Sequence, residues 1–592
     1  MRRMRSLLAA LLLAGCASPA RLPPSPTPPP SAAVASASAA PPVRCEGERF
    51  GLPPGADAIA EANAARRRGT MGTATTRIVA TSHPLATEAG LSVLRSGGNA
   101  ADAFVAAALV DDLVFPGVTS TAGLAGILVY EARTGAITYV HGGLADPVDP
   151  ARRIRKGDVE SGRLVLVPGA PAAYAEVLRR FGRRSLAAAV EPAAALASKG
   201  FAIDALYARA IAGNRAKLEA SAFGRASFFR DGRVLREGDL LKLDETAGTL
   251  RSFGKDPRWF YRGPWVDAAV RTANEHGGAL EAGDFSAYAP EVGPALHARY
   301  RGYDLYGGGF GGATLLASLG ALDSLRAGAP AQPFRTSAGE LELLLRIAGH
   351  ARDEHVAPLL ARRGLVTEGS TGDAFVADLA RTIAGRVRAD TAVGPSRPGG
   401  SHSSAVIVVD ADGNVVVGTH TIETLNWGEG LFVGGVPLST AGPTAFDDPG
   451  AATLAQRTDP LSDTLVLQDG APRVALAVYG TGLFPGDVQI LDAVLARGLD
   501  AEQAVLEPRV GYVAFDAQRM TLDVTRRSVD PRFDAGLLCE LEERGFTLER
   551  SMPGYPAGFV DTGFPTLVTM SPGRLRGMTP DASYVHGVAA GD

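Results

Sequence analysis

Hydrophobic and polar positions along this chain follow two rhythms, one of period two and one near 3.6. The β-branched run Ala405-Val406-Ile407-Val408-Val409 meets Asp412-Gly413-Asn414, then Val415-Val416-Val417-Gly418-Thr419-His420-Thr421. Strand formers on both sides of a turn-forming triplet predict a hairpin. Ile127 to Tyr130 and Ile137 to Val140 predict short strands around Thr134-Gly135. Pro84 to Leu94 predicts a helix stopped near Gly97-Gly98-Asn99. Ala100 to Val114 predicts a second, and its run Phe104 to Val110 is apolar all round, as in a buried helix. Ala172 to Phe181 and Leu186 to Lys199 lean helical, with Pro192 expected to kink or split the latter. In Glu340 to His350, Leu341, Leu344, Leu345 and Ala348 share one helical face. Helices and strands are interspersed throughout, so the class is mixed α and β. No repeat of fixed period and no second membrane span is visible.

Composition narrows the picture. The 592 residues are 46% hydrophobic and 21% charged, with a formal net charge of −4. That is globular composition, and the absence of a basic stripe argues against a nucleic-acid partner. The N-terminus is more specific. Basic Met1-Arg2-Arg3-Met4-Arg5 precedes the short apolar core Leu7 to Leu13, which reads as an export signal. The segment closes on Leu13-Ala14-Gly15-Cys16, which resembles a bacterial lipobox. Residues 1–16 thus predict a lipoprotein signal cleaved before an acylated Cys16, with an ordinary secretory signal as the alternative. Residues 17–50, rich in Pro, Ala and Ser up to residue 44, predict a disordered tether. The expected location is the periplasm or cell surface, with a lipid anchor as the only membrane contact. Ala17 after Cys16 favours the outer membrane. Cys45 and Cys539 remain, either paired in an oxidising compartment or as separate buried thiols.

The candidate chemistry lies just before the first hairpin strand, in Gly399-Gly400-Ser401-His402-Ser403-Ser404. A serine hydroxyl needs a nearby base to act as a nucleophile. An α-amine, with an ordinary pKa of about 7.7–8.0, is suited to that task near neutral pH. A serine freed at a new N-terminus carries both groups, and a glycine-rich loop ahead of it suits the required peptide cleavage. Taken alone, the segment is an ordinary loop before a core strand.

Other segments add weight. Ala80-Thr81-Ser82-His83-Pro84-Leu85-Ala86-Thr87-Glu88-Ala89-Gly90 and Gly97-Gly98-Asn99-Ala100-Ala101-Asp102-Ala103 resemble the start of the γ-glutamyltransferase (γ-glutamyltranspeptidase) family of N-terminal nucleophile hydrolases. Val167-Pro168-Gly169, Trp259-Phe260-Tyr261-Arg262-Gly263, Gly277-Gly278, Asp284-Phe285, Tyr288 and Tyr300-Arg301-Gly302-Tyr303 resemble it in the same order, across roughly residues 75–515. The resemblance implies a four-layer αββα sandwich. It also implies cleavage between His402 and Ser403, giving segments 51–402 and 403–592 that remain associated. Counting back from Val408-Val409-Asp410-Ala411-Asp412-Gly413-Asn414 places the nucleophile at Ser403, with Ser401 and Ser404 as competing registers. Thr421 falls where the family hydrogen-bonds its nucleophile, and Glu423 where it holds the donor's amino group. Ser462 and Asp463 match a substrate-binding Ser-Ser pair, and Gly486, with Gly482 as the weaker choice, matches an oxyanion segment.

Departures from the family bear on the substrate. Gly143 stands where the family has an Arg for the substrate α-carboxylate. Pro443 and Thr444 stand where it has an Asp pair for the amino group, with Asp447-Asp448 four residues on. Asp463 replaces the second Ser, and Asp487 replaces a glycine. Losing one partner of a buried charge pair costs about 2–5 kcal/mol, so self-cleavage is better supported than a γ-glutamyl head group. Arg457 and Arg509 are alternative anchors. The leading expectation is a self-processing amidase or acyltransferase for a small γ-glutamyl or related acyl amide. The alternative is an inactive, membrane-tethered binding or scaffold lipoprotein. No Gly-x-Ser-x-Gly elbow suggests an α/β-hydrolase. His350 and His355 are five apart and no Cys cluster exists, so neither metal nor cofactor is expected. The remaining histidines read as loop or surface residues.

Overall fold

Fourteen strands build the two large sheets. In chain order they are β1 Gly72–Ala74, β2 Ile78–Thr81, β3 Leu124–Glu131, β4 Ala136–Gly142, β5 Glu291–Pro294, β6 Leu296–Tyr300, β7 Tyr303–Gly307, β8 Ser404–Val409, β9 Val415–Thr421, β10 Thr464–Gln468, β11 Ala471–Tyr479, β12 Phe564–Ser571, β13 Arg574–Met578 and β14 Val588–Gly591. One seven-stranded sheet has the order β14-β2-β8-β9-β3-β4-β5, the other β1-β13-β12-β11-β10-β7-β6. Neighbouring strands in both are antiparallel. This computed structural model describes residues 71–592 except 156–157, 159, 353–371, 390–402, 425, 442–460, 481–482, 512–513, 517–520, 524–525, 551–562, 580 and 583–584. The described residues all belong to one unit, Cys45–Asp592. Cys16, Cys45, Ser401, His402, Pro443, Thr444, Asp447, Asp448, Arg457 and Gly482, named above from the sequence, lie outside the described residues.

Side-chain alternation along the strands makes the layers. Ala405, Ile407 and Val409 of β8 join Val415 and Val417 of β9 in a core shared with Leu465, Leu467, Ala475 and Ala477 of the other sheet. The intervening Val406, Val408 and Val416 face a different core, built with helices α1 Pro84–Arg95, α2 Ala100–Val114, α3 Ala170–Phe181 and α4 Leu186–Lys199. On the far side, Val466, Val474, Leu476 and Leu567 pack with α5 Gly309–Arg326, α6 Ala338–Arg352, α7 Gly372–Arg388 and α8 Leu483–Leu495. Helices, two stacked sheets and helices give the expected αββα sandwich. Both sheets mix strands from before and after residue 403.

Two expectations need correction. Pro192 neither splits α4 nor ends it, since the helix runs unbroken from Leu186 to Lys199. Ala189, Val190, Ala193, Ala194 and Ala197 are buried on one side, and that packing outweighs the lost backbone bond. The histidines assigned to loops or the surface include His141 and His420, which are both 0% exposed.

The family-like motifs turn out to be joints of this frame. Asn99 caps α2 in a reciprocal box with Asp102. The Asp102 carboxylate also accepts from the Arg183 and Arg184 backbone N–H groups. Asp410 accepts from the Ala100, Asp412 and Asn414 backbone N–H groups at 2.9, 3.0 and 2.9 Å. It thereby closes the β8–β9 turn and docks the start of α2 on it, while Gly413 supplies the required φ of 83°. A side chain at Gly418 would strike the Gly126 carbonyl and the Phe104 ring. Glycine there lets α2 lie close against the sheet.

Candidate active site

Ser403 directly precedes β8 and is 1% exposed. The hairpin register pairs Ser404 with His420 and Ala405 with Thr419. Continued by one step, it sets Ser403 opposite Thr421, at cross-strand contact range. Alternation turns Ser403, Thr419 and Thr421 toward the space between the sheets, and Ser404 and His420 toward α2. The continued register thus sets Ser403 across from Thr421. Glu423, two residues past Thr421, has a φ of 72° and donates its backbone N–H to Thr421 Oγ1 at 2.9 Å.

The opposite sheet contributes Ser462 and Asp463, just before β10. Thr419 Oγ1 donates to Asp463 Oδ1 at 2.5 Å, which joins this pair to the hairpin's inner face. Ser462 and Asp463 are 0% and 1% exposed. Gly486 and Asp487 lie in the buried first turns of α8. Asp487 is 0% exposed, and burial pushes its carboxyl well above the usual range. The Val488 N–H and the Ser462 hydroxyl pull weakly the other way. Ser462 therefore meets Asp487.

Gly143 follows β4, where Tyr288 donates to its carbonyl at 2.7 Å, and Tyr261 donates to the Pro168 carbonyl at 2.9 Å. These motif tyrosines brace the backbone. Arg509 is buried, and its guanidinium donates to the Val505 and Gly563 carbonyls. Cys539, in the helix Ala535–Glu543, is disulfide-bonded.

Sequence reasoning missed a cluster on the other side of the hairpin. His420 Nδ1 lies 3.1 Å from Asp112 Oδ1, and Nε2 lies 3.5 Å from Asp111 Oδ2. Burial alone would lower the His420 pKa, but the two carboxylates outweigh it and raise it to about 9. Burial pushes Asp112 upward, opposed by His420, Thr121 and Thr119. A signal was present: Asp111-Asp112 ends the apolar run Ala103 to Val110 near the C-terminal end of α2. A pocket lined by Tyr207, Phe228, Trp427 and Phe432 opens beside Asp112. It adjoins the charged cluster, not the inner face that carries Ser403. No group of three or more His, Cys, Asp or Glu that could hold a metal ion occurs among the described residues.

A family model described as Gamma-glutamyltranspeptidase matches residues 86–558. The glutathione hydrolase-like YwrD proenzyme of Bacillus subtilis (strain 168) is 27% identical over 79% of this chain and 92% of its own. The acylase ACY 1 proenzyme of Pseudomonas sp. (strain V22) is 28% identical over 73% of this chain and 82% of its own. Among solved structures, cephalosporin acylase from Bacillus halodurans superposes with a TM-score of 0.72 at 22% identity. That match covers 88% of this chain and 97% of the acylase, and it shows a shared fold.

Proposed function

Because this chain belongs to the gamma-glutamyltranspeptidase family, we propose that it is cut between His402 and Ser403 and that Ser403 is the nucleophile of the enzyme so formed. The chain is a γ-glutamyltransferase-like amide hydrolase or transferase. One observation carries the residue assignment. The register sets Ser403 against Thr421 on the inner face, at the head of a strand and next to a segment that family members cleave. In the reaction, Ser403 Oγ attacks the amide carbonyl carbon and its α-amine takes the hydroxyl proton. Thr421 supports the hydroxyl. Backbone N–H groups, with Gly486 the described candidate, stabilise the oxyanion. The C–N bond then breaks, the amine leaves with the proton, and the acyl group passes from Ser403 to water or an acceptor amine.

The acyl group is a γ-glutamyl or related acyl chain. Gly143 supplies no cation for an α-carboxylate, so any grip on such a head group comes from other residues. An inert family member is disfavoured, since relatives spanning most of the chain are hydrolase-like and acylase proenzymes. Export and acylation at Cys16 complete the reading.

One experiment tests it. Wild-type and Ser403→Ala chains are expressed with their N-termini intact, resolved on a denaturing gel, and assayed for amine release from glutaryl and γ-glutamyl anilides. The wild type should yield a fragment beginning at Ser403 and release the amine, whereas Ser403→Ala should remain one chain. Mass analysis of the same wild-type sample should show acylated Cys16 as the first residue. Cleavage of the Ser403→Ala chain after His402 refutes the nucleophile assignment.

A further inference from the structure

We propose that Ser404, Asp111 and His420 form a positioning relay that fixes the backbone on which Ser403 and Thr421 stand. The proposal rests on Ser403 being the nucleophile. Ser404 and His420 are register partners, both 0% exposed, directly behind the Ser403–Thr421 pair. Ser404 Oγ bonds the Asp111 carboxylate and lies 2.7 Å from Ser82 Oγ, which lies 2.8 Å from the Tyr479 hydroxyl. A serine has one hydroxyl proton and a carboxylate accepts only. The Asp111 carboxylate therefore accepts from Ser404, which links it through Ser82 to Tyr479. The next link is ionic, from Asp111 to His420 to Asp112, whose second oxygen accepts from Thr121 Oγ1 at 3.0 Å.

The relay thus gathers the end of β11, the residue after β2, the first residue of β8, β9 and the C-terminal turn of α2. A buried ion cluster is an inefficient source of stability, because apolar replacements of similar volume often do as well. What it supplies is direction. Ser404 shares a peptide bond with Ser403 and fixes the carbonyl side of the nucleophile. His420 shares one with Thr421. Displacing a reacting group by about 1 Å costs about 100-fold in rate.

The charge state matters to the same geometry. His420 is faced by Asp111 and Asp112 from α2, by the Tyr174 ring of α3 at 6.5 Å, and through Ser82 by Tyr479. Burial pushes both tyrosines upward. They stay protonated while His420, raised to about 9, loses its proton and its hold on the carboxylates.

The test uses the full-length chain with Ser404→Ala, Ser404→Thr and His420→Gln substitutions. Fragment appearance, kcat and KM on glutaryl anilide, and thermal unfolding are measured from pH 6 to 10. Ser404→Ala should slow cleavage and kcat about 100-fold with KM within about twofold. Ser404→Thr, which keeps the hydroxyl, should recover most of that loss. Wild-type rates should fall as pH rises through about 9, and His420→Gln should lack that fall. If Ser404→Ala does not fold, Ser404→Cys carries the same comparison. A folded Ser404→Ala chain with wild-type rates, or a Ser404→Thr chain as slow as Ser404→Ala, overturns the relay alone. A wild-type chain that stays uncut overturns both the relay and the reading of Ser403. If the wild type is cut but inert toward the anilide, the cleavage rates decide.

Discussion

The two faces of the β8–β9 hairpin carry polar groups of different kinds one residue apart. Toward the opposite sheet, Ser403, Thr419 and Thr421 present neutral hydroxyls, with Asp463 reaching across to Thr419. Toward α2, Ser404 and His420 enter a buried cluster of one imidazole and two carboxylates. A period of two lets one short segment keep the hydroxyls of Ser403 and Thr421 apart from the charged cluster at His420. The difference teaches that the inner face is chemically lean because the outer face does the holding.

That contrast can be broken from either side. The largest effect belongs to His420→Ala in the uncut Ser403→Ala background, which leaves two buried carboxylates without their cation. It should cost about 3–5 kcal/mol in urea unfolding. Next comes pH in the same background. His420 binds its proton more tightly folded, at about 9, than its ordinary 6.5. Its contribution is therefore complete below pH 6.5 and is lost as pH rises through about 9, a change of at most roughly 3 kcal/mol. The loss should be missing in His420→Gln. Smallest is Thr421→Ala on the inner face, which leaves the neutral Glu423 N–H unmet and should cost about 1–3 kcal/mol. Equal costs for His420→Ala and Thr421→Ala would erase the distinction between the faces.

Much of this architecture was legible in the residues. The hairpin followed from β-branched runs around Asp412-Gly413-Asn414, and α2 lies at the predicted Ala100 to Val114. The Ser403–Thr421 opposition follows from strand length once the turn is placed. Long-range partners were harder to read. His420 is a surface-like residue in one dimension, and only α2 crossing behind the sheet supplies its two carboxylates. Ser462 and Asp463 carried no local sign that they would meet Thr419 and Asp487. Pro192 misled because local propensity was judged without the packing that holds α4. Substrate choice was least legible, because Gly143 marks what is missing and not what replaces it.

The shared sheets have a consequence for how such a molecule is made. As one chain it reaches its fold by a reaction whose rate does not depend on concentration. Once cut ahead of Ser403, neither piece could rebuild a sheet alone, and refolding would become a second-order encounter between two incomplete molecules. The uncut chain would then serve as a single-use template, and the finished enzyme would persist by the slowness of its unfolding rather than by its ability to fold again.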